Sequence, residues 1–436
     1  MIHRERILEE KVYRGRRRSK HRKHGYKRLS FRDRMKLRHC HTQLLNEFNK
    51  AGYIEPRYVV NELKIPEIFS FQDNFVGSLL FFKQMISTFL LKEEGNVKVD
   101  FFFFFFITMA TFMIFDLLTK EFRDVIEKYN RGFDVRMMCS RRVKITQPSK
   151  LNDKVNKFLI SFGYCTYEDV DNVNGDESFL SMNLIKGKWR TYTENMKGLA
   201  AKHIVNFVNE TLKRINKQIK PEVKNYIDGF ITEILSNAEE HSSNKIEWYV
   251  NGISFLESQC GYDIIELNLS IMNVGKTMFE GFEETKEQNS DNYSIVDKAY
   301  SKHMNLHNSH HFTKEGMFMM YMLNDGISRL KYEDDARGNG TMKFLENFIL
   351  LGSFGLKVKE FNPKLHIISG STVLTCDGDT RPYAYNNGGK ILSLNKSQNP
   401  NELPDEEYLR SFDGKFPGTI LECKIYFNKD FFENGN

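Results

Sequence analysis

The sequence predicts a mixed fold, α/β in its first half and α+β in its second, and three patterns carry that expectation. Short strand-like runs alternate with helical spacing between about residues 58 and 180; two long amphipathic helices follow between about 195 and 241; strand patterns then return at 264–272, 364–368, 372–376 and 419–427. With 436 residues the chain has room for two to three domains, and 40% hydrophobic with 28% charged residues excludes a disordered chain and a polytopic membrane protein.

The first 40 residues hold 16 Lys and Arg against 4 Asp and Glu, a charge of +12. The other 396 carry 47 against 53, or −6, so a basic arm precedes an acidic body. Within the arm Arg14, Arg16, Arg17, Arg18, Lys20, Arg22 and Lys23 crowd beside tyrosines and histidines, a composition suited to phosphate backbones. A nucleic-acid partner is one expectation; a solvated arm, or one docked on an acidic protein surface, is the plainer one. Helical spacing from Phe31 ends at Gly52, giving an arm with helix over 1–57.

The next unit, 58–180, reads as a strand from Tyr58, a turn at Pro66, a helix over about 74–91, a strand from Val97 and a helix over about 108–129. Its run FFFFFFITMATFMIF, Phe101 to Phe115, is uncharged, but Asp100 and Asp116 bracket it at fifteen residues. That is short for a span of about 20 residues, so a buried strand entering a buried helix is expected and stable membrane insertion is not. The six cysteines lie far apart with no C-x-x-C pair, and no signal peptide precedes them. A reduced, cytoplasmic protein follows as the expectation.

From about 190 to 436 the pattern changes. A helix over about 195–216 precedes one over 221–241 that opens on Pro221, and Val223, Tyr226, Ile227, Phe230, Ile234 and Ala238 give the second a core-facing side. On it Glu233 and Asn237, four apart, share a side. A carboxylate and a carboxamide so stacked could serve as general base and as an oxygen ligand for hydrated Mg²⁺; an ordinary polar helix face would look the same. Three further elements follow in order. Asn273 and Gly275 end the strand ELNLSIM, Gly338, Asn339, Gly340 and Thr341 sit in ARGNGTMKFL before a helical pattern, and Pro417 to Thr419 open the last strand. Glycines there let the backbone approach a ligand and let N–H groups face a phosphate. The stretch 275–340 reads as a long polar loop, which is uncommon unless functional. Within it His303, His307, His310 and His311 have spacings that could face a metal, and the Met and Phe cluster from Gly316 to Leu323 reads as core packing or a partner groove.

This ordered set resembles the GHKL ATPases, the superfamily of gyrase B, large heat-shock chaperones, mismatch-repair ATPases and histidine kinases. ITEILSNAEEHS resembles the N box, NVG stands where D-x-G is usual, RGNGT resembles the second glycine box, and GT precedes the terminal strand. The resemblance implies a two-layer α/β sandwich of the Bergerat type, ATP and Mg²⁺ as ligands, Glu233 as catalytic base, Asn237 on the metal, and Asn273, Gly275, Gly338, Asn339, Gly340, Thr341 and Thr419 around the nucleotide, with 275–340 as a lid. Asn273 departs from the family's Asp and leaves base selectivity open, since an amide can donate or accept. Residues 58–180 resemble a STAS-like domain, with Met109 and Ala110 where a phosphorylatable serine would stand. The implied function is a slow ATPase switching a protein or nucleic-acid partner, with homo-oligomers possible and a role in bacterial stress response or phage defence. The alternatives are a nucleotide sensor that does not hydrolyse and an anti-sigma-type serine kinase.

Overall fold

The computed structural model describes residues 42–91, 97–100, 105–129, 150–163, 178–188, 196–241, 247–259, 262–307, 312–327, 340–353, 361–384 and 389–434. They form a mixed α/β structure around one mainly antiparallel sheet. The basic stretch from Arg14 to Lys23 lies outside the described residues.

Helix α1 (Gln43–Lys50) buries Leu44, Leu45 and Phe48. Strands β1 (Glu62–Lys64) and β2 (Ile68–Phe69) pair in parallel with β3 (Lys98–Asp100) and β4 (Phe106–Ile107). Parallel pairing needs a crossover, and α2 (Phe75–Leu91) lies between the two pairs of strands in sequence. The helix expected after the Phe run is α3 (Met109–Tyr129), and its Met109, Ala110, Phe112, Met113, Ile114 and Phe115 are buried. Its first turns therefore lose their amphipathic period because they are covered all round. Among the described residues no helix is long and apolar enough to cross a membrane. Helix α4 is Lys150–Ser161.

The strands of the large sheet are β5 (Phe179–Ser181), β6 (Ile185–Lys188), β8 (Glu247–Gln259), β9 (Tyr262–Val274), β10 (Lys364–Asp377) and β13 (Leu409–Phe427). Their order is β10-β13-β9-β8-β5, with β6 also on β8. A small ladder joins β7 (Lys217–Ile219) to β14 (Phe432–Asn434), and another joins β11 (Tyr383–Ala384) to β12 (Lys390–Ile391). The expected strands at 364–368 and 372–376 are one strand, β10, whose register shifts around Gly370. That shift marks a bulge, and a bulge interrupts alternation without ending the strand.

Both faces of this sheet are covered. On one lie α5 (Met196–Lys213), α6 (Pro221–His241) and α10 (Gly340–Ser353), whose Ile204, Val208, Ile227, Phe230 and Phe348 share a core with Leu267, Leu269, Ile271, Leu365 and Ile367. On the other, Phe71, Phe75, Phe112 and Phe158 share a core with Tyr249, Ile253, Phe255, Met272 and Ile420. Rings bridge this second layer: Phe158 meets Phe255 at 5.8 Å, Phe71 meets Phe416 at 5.7 Å and Phe75 stacks on Phe412 at 4.7 Å between centroids.

The loop expected over 275–340 is in large part helical. Its described residues hold α7 (Met278–Glu284), α8 (Ser290–His307) and α9 (Lys314–Tyr321). Thr277 starts α7 through a capping box with Glu280, and the Thr313 hydroxyl accepts the Gly316 N–H to start α9. The Met and Phe cluster is core: Met317, Phe318, Met319 and Met320 are all buried.

Candidate functional site

Sheet register brings three polar side chains into one row. Ser369 on β10 pairs with Thr419 on β13, and Thr419 pairs with Asn273 on β9. Side chains alternate along a strand, so these three share a face with Ile367 and Leu421, two residues along. Helix α6 supplies Ile234, Asn237 and Ala238, three and four apart and hence on one side of the helix. Together with Met278, Leu323 and Phe344, the residues Ile234, Asn237, Ala238, Asn273, Ile367, Thr419 and Leu421 line a cavity of about 40 Å³. That is room for about three waters, so a larger ligand must extend through the mouth.

The lining is apolar except for Asn237, Asn273 and Thr419. Asn273 is 4% exposed and lines the cavity. An amide aimed into a cavity is the arrangement expected where a ligand completes the bonding.

Local backbone explains how the row is held. Gly275 (φ 129°) donates its N–H to the Pro417 carbonyl at 3.0 Å, closing the end of β9 against the start of the Thr419 segment. Gly418 has φ 140°, and a Cβ there would stand 2.2 Å from the Asn273 carbonyl oxygen. Only glycine satisfies both the dihedral and the close approach. Behind Thr419, the Ser369 hydroxyl accepts the Met278 N–H at 2.9 Å and lies 3.0 Å from the Thr419 hydroxyl. Thr277 and Glu280 cap the turn that carries Met278. Burial alone would raise the Glu280 carboxyl, but Lys415 and the Thr277 N–H outweigh it and hold it below the ordinary range.

The residues expected from sequence fall into three groups. Asn237, Asn273 and Thr419 meet at the cavity, with Gly275 in the turn beside it. Glu233 is half-buried on α6 but does not line the cavity. Gly338 and Asn339 lie outside the described residues, whereas Gly340 and Thr341 open α10. Of the histidines, His303 is buried with Nδ1 paired to the Tyr321 hydroxyl and Nε2 to the Pro400 carbonyl at 3.1 Å, so its ring knits helices and loop together. His310 and His311 lie outside the described residues. Among the described residues no cluster of three or more His, Cys, Asp or Glu could hold a metal.

Sequence reasoning missed Ser369, Met278, Leu323, Phe344 and Ile367. The signal for Phe344 was its place one turn into the helix after RGNGT; Ser369 joins only through cross-strand register. No family model matches the chain, and no curated protein or solved structure shows significant similarity to it.

Proposed function

We propose that the chain is a Mg²⁺-dependent ATP-binding protein of the GHKL type, with a STAS-like unit at residues 58–180, that works as a nucleotide-driven switch with slow hydrolysis. The observation that carries this reading is the convergence of Asn237, Asn273 and Thr419 on one apolar cavity, with Asn273 only 4% exposed. Those residues come from three separate stretches of sequence, each picked out by its resemblance to a nucleotide-binding box. The apolar walls suit the faces of a planar base, and the amide and hydroxyl suit its polar edge.

Mg²⁺ fits as an ion held largely by phosphate and water, to which Asn237 would add one oxygen; when bound it would neutralise charge on the phosphates. Glu233 is assigned to orient or deprotonate the attacking water. A conformational link runs along β13, because Thr419 faces the cavity while Glu422, three residues on, accepts the Ala110 N–H of the STAS-like unit at 3.1 Å. The basic arm would then engage phosphate-rich partners.

One observation favours a second reading. Glu233 stands outside the cavity lining, which suits a sensor that binds nucleotide without turning it over. Phosphate release by purified protein, with and without nucleic acid, separates the two. Sustained release that falls in Glu233→Ala supports the ATPase. Binding without release supports the sensor.

A further inference from the structure

We infer that Gly187 is a positioning residue for the cavity: it gives the Trp248 indole a berth over β6 and so keeps that ring away from Asn273, which faces the ligand. This rests on the nucleotide-binding reading above and extends it to two residues outside the cavity lining.

Sheet register carries the row of the cavity further across the sheet. Asn273 on β9 pairs with Trp248 on β8, and Trp248 pairs with Gly187 on β6, so Gly187, Trp248, Asn273 and Thr419 follow one another over four strands on one face. Facing Cβ atoms in such pairs stand about 4.5–5.5 Å apart. Asn273 and Thr419 line the cavity, whereas Trp248 does not. Asn273 therefore stands between the cavity and the tryptophan.

Gly187 shows where the indole lies. A Cβ there would fall inside the ring, against Cε2, Cζ2 and Cη2, so the indole fills the place of a side chain on β6. Gly187 has no positive φ, and the pairing of β6 with β8 runs in unbroken register. Backbone conformation thus does not call for glycine, and glycine inside a strand weakens it; room for the ring is the reason that remains. Trp248 is fully buried, α5 packs on both β6 and β8, and Val250, the next residue of β8 on that face, is fully buried too. In so close-packed an interior a ring pushed off Gly187 is stopped by α5 above the sheet and by Val250 along the strand, and it moves toward β9. Asn273 is the side chain it meets there, and the cavity of about 40 Å³ behind Asn273 is the space that is lost.

The test titrates ATP with Mg²⁺ calorimetrically into wild type, Gly187→Ala, Trp248→Leu and the double variant, with a urea midpoint for each. Gly187→Ala should lose about tenfold in affinity, the scale of an overpacked contact. Trp248→Leu, whose shorter side chain leaves Asn273 clear, should bind like wild type although it is less stable. The double variant should bind like wild type as well, a rescue that lost stability alone cannot produce. Gly187→Ala with wild-type affinity, or a double variant as weak as Gly187→Ala, overturns the inference and leaves nucleotide binding standing. If Gly187→Ala does not fold, Trp248→Phe is compared with glycine and with alanine at position 187: alanine should weaken ATP several-fold, and equal affinities overturn the inference. Wild type that binds no ATP removes the nucleotide-binding reading and this inference with it.

Discussion

The carboxylate of Glu422 on β13 accepts the backbone N–H of Ala110 at 3.1 Å, so a side chain of the large sheet caps the first turn of α3. Gln72 donates to the other oxygen of the same carboxylate. Helix N-termini leave N–H groups without partners and favour negative charge, and here the charge arrives from a segment 312 residues away in sequence. Burial raises the Glu422 carboxyl above its usual 4.5, against the opposing pull of Gln72, the Ala110 N–H and Thr108.

That raised value sets a sign. An acid whose folded pKa lies above its unfolded one binds its proton more tightly when folded, so its contribution to stability is greatest below about pH 4.5 and declines as pH rises through the folded value. Glu422→Gln, which cannot ionise, should remove this slope. Glu422→Ala should cost about 1–3 kcal/mol for each buried donor left without an acceptor. Urea unfolding midpoints for the three proteins at pH 5 and pH 8 check both. An alanine variant as stable as wild type would show that the cap contributes nothing.

Glu266 on β9 provides the opposite slope. Burial would raise its carboxyl, yet Lys424 at 3.4 Å and Lys154 at 2.8 Å overcome that and bring it down to about 2. Its contribution is therefore present above pH 4.5 and lost as pH falls toward 2. Lys154 on α4 also reaches Glu257, so one lysine ties α4 to both β8 and β9. Lys154→Ala should cost about 1–2 kcal/mol, less than the 3–5 of a fully buried pair because the lysine side chain is 39% exposed. Acid titration followed by circular dichroism should show the variant unfolding at higher pH than wild type. Coincident acid transitions would contradict the assignment.

Much of this was legible in the chain. Pro221 and the apolar spacing behind it marked α6 to its ends, and of the Phe run Ile107 and Met109 to Phe115 are interior as expected, whereas Phe105 is exposed and 101–104 lie outside the described residues. Strand β8 escaped because Trp248 and Val250 face one core and Tyr249, Ile253 and Phe255 the other, so burial on both faces erases the alternation that identifies a strand. The helices of 278–321 were obscured by polar composition, although the Thr277 to Glu280 spacing was a start signal in plain view. Asn237, Asn273 and Thr419 could be named from local motifs. Ser369 could not, since its relation to Thr419 exists only once β10 and β13 are in register.

Base reading at Asn273 gives a third prediction. Asn273→Asp replaces an amide of either polarity by a group that only accepts, which should raise the ATP over GTP affinity ratio about tenfold. Competition titration with both nucleotides measures it. A ratio that stays the same or reverses would mean that Asn273 does not face the base.

Chemistry and binding should separate on α6. Glu233→Ala should keep ATP affinity while lowering phosphate release by about two to four orders of magnitude, the range for losing a general base. Turnover equal to wild type would remove Glu233 from the reaction and leave the sensor reading.

The most direct test is calorimetric titration of ATP with Mg²⁺ into wild type and Asn237→Ala, because Asn237 alone is assigned both to the cavity and to the metal. Wild type should bind one nucleotide per chain, and Asn237→Ala should lose at least tenfold in affinity while unfolding at the same urea concentration, as expected for a half-buried helix position. No binding by wild type, or equal affinity in the variant, would contradict a nucleotide site at this cavity.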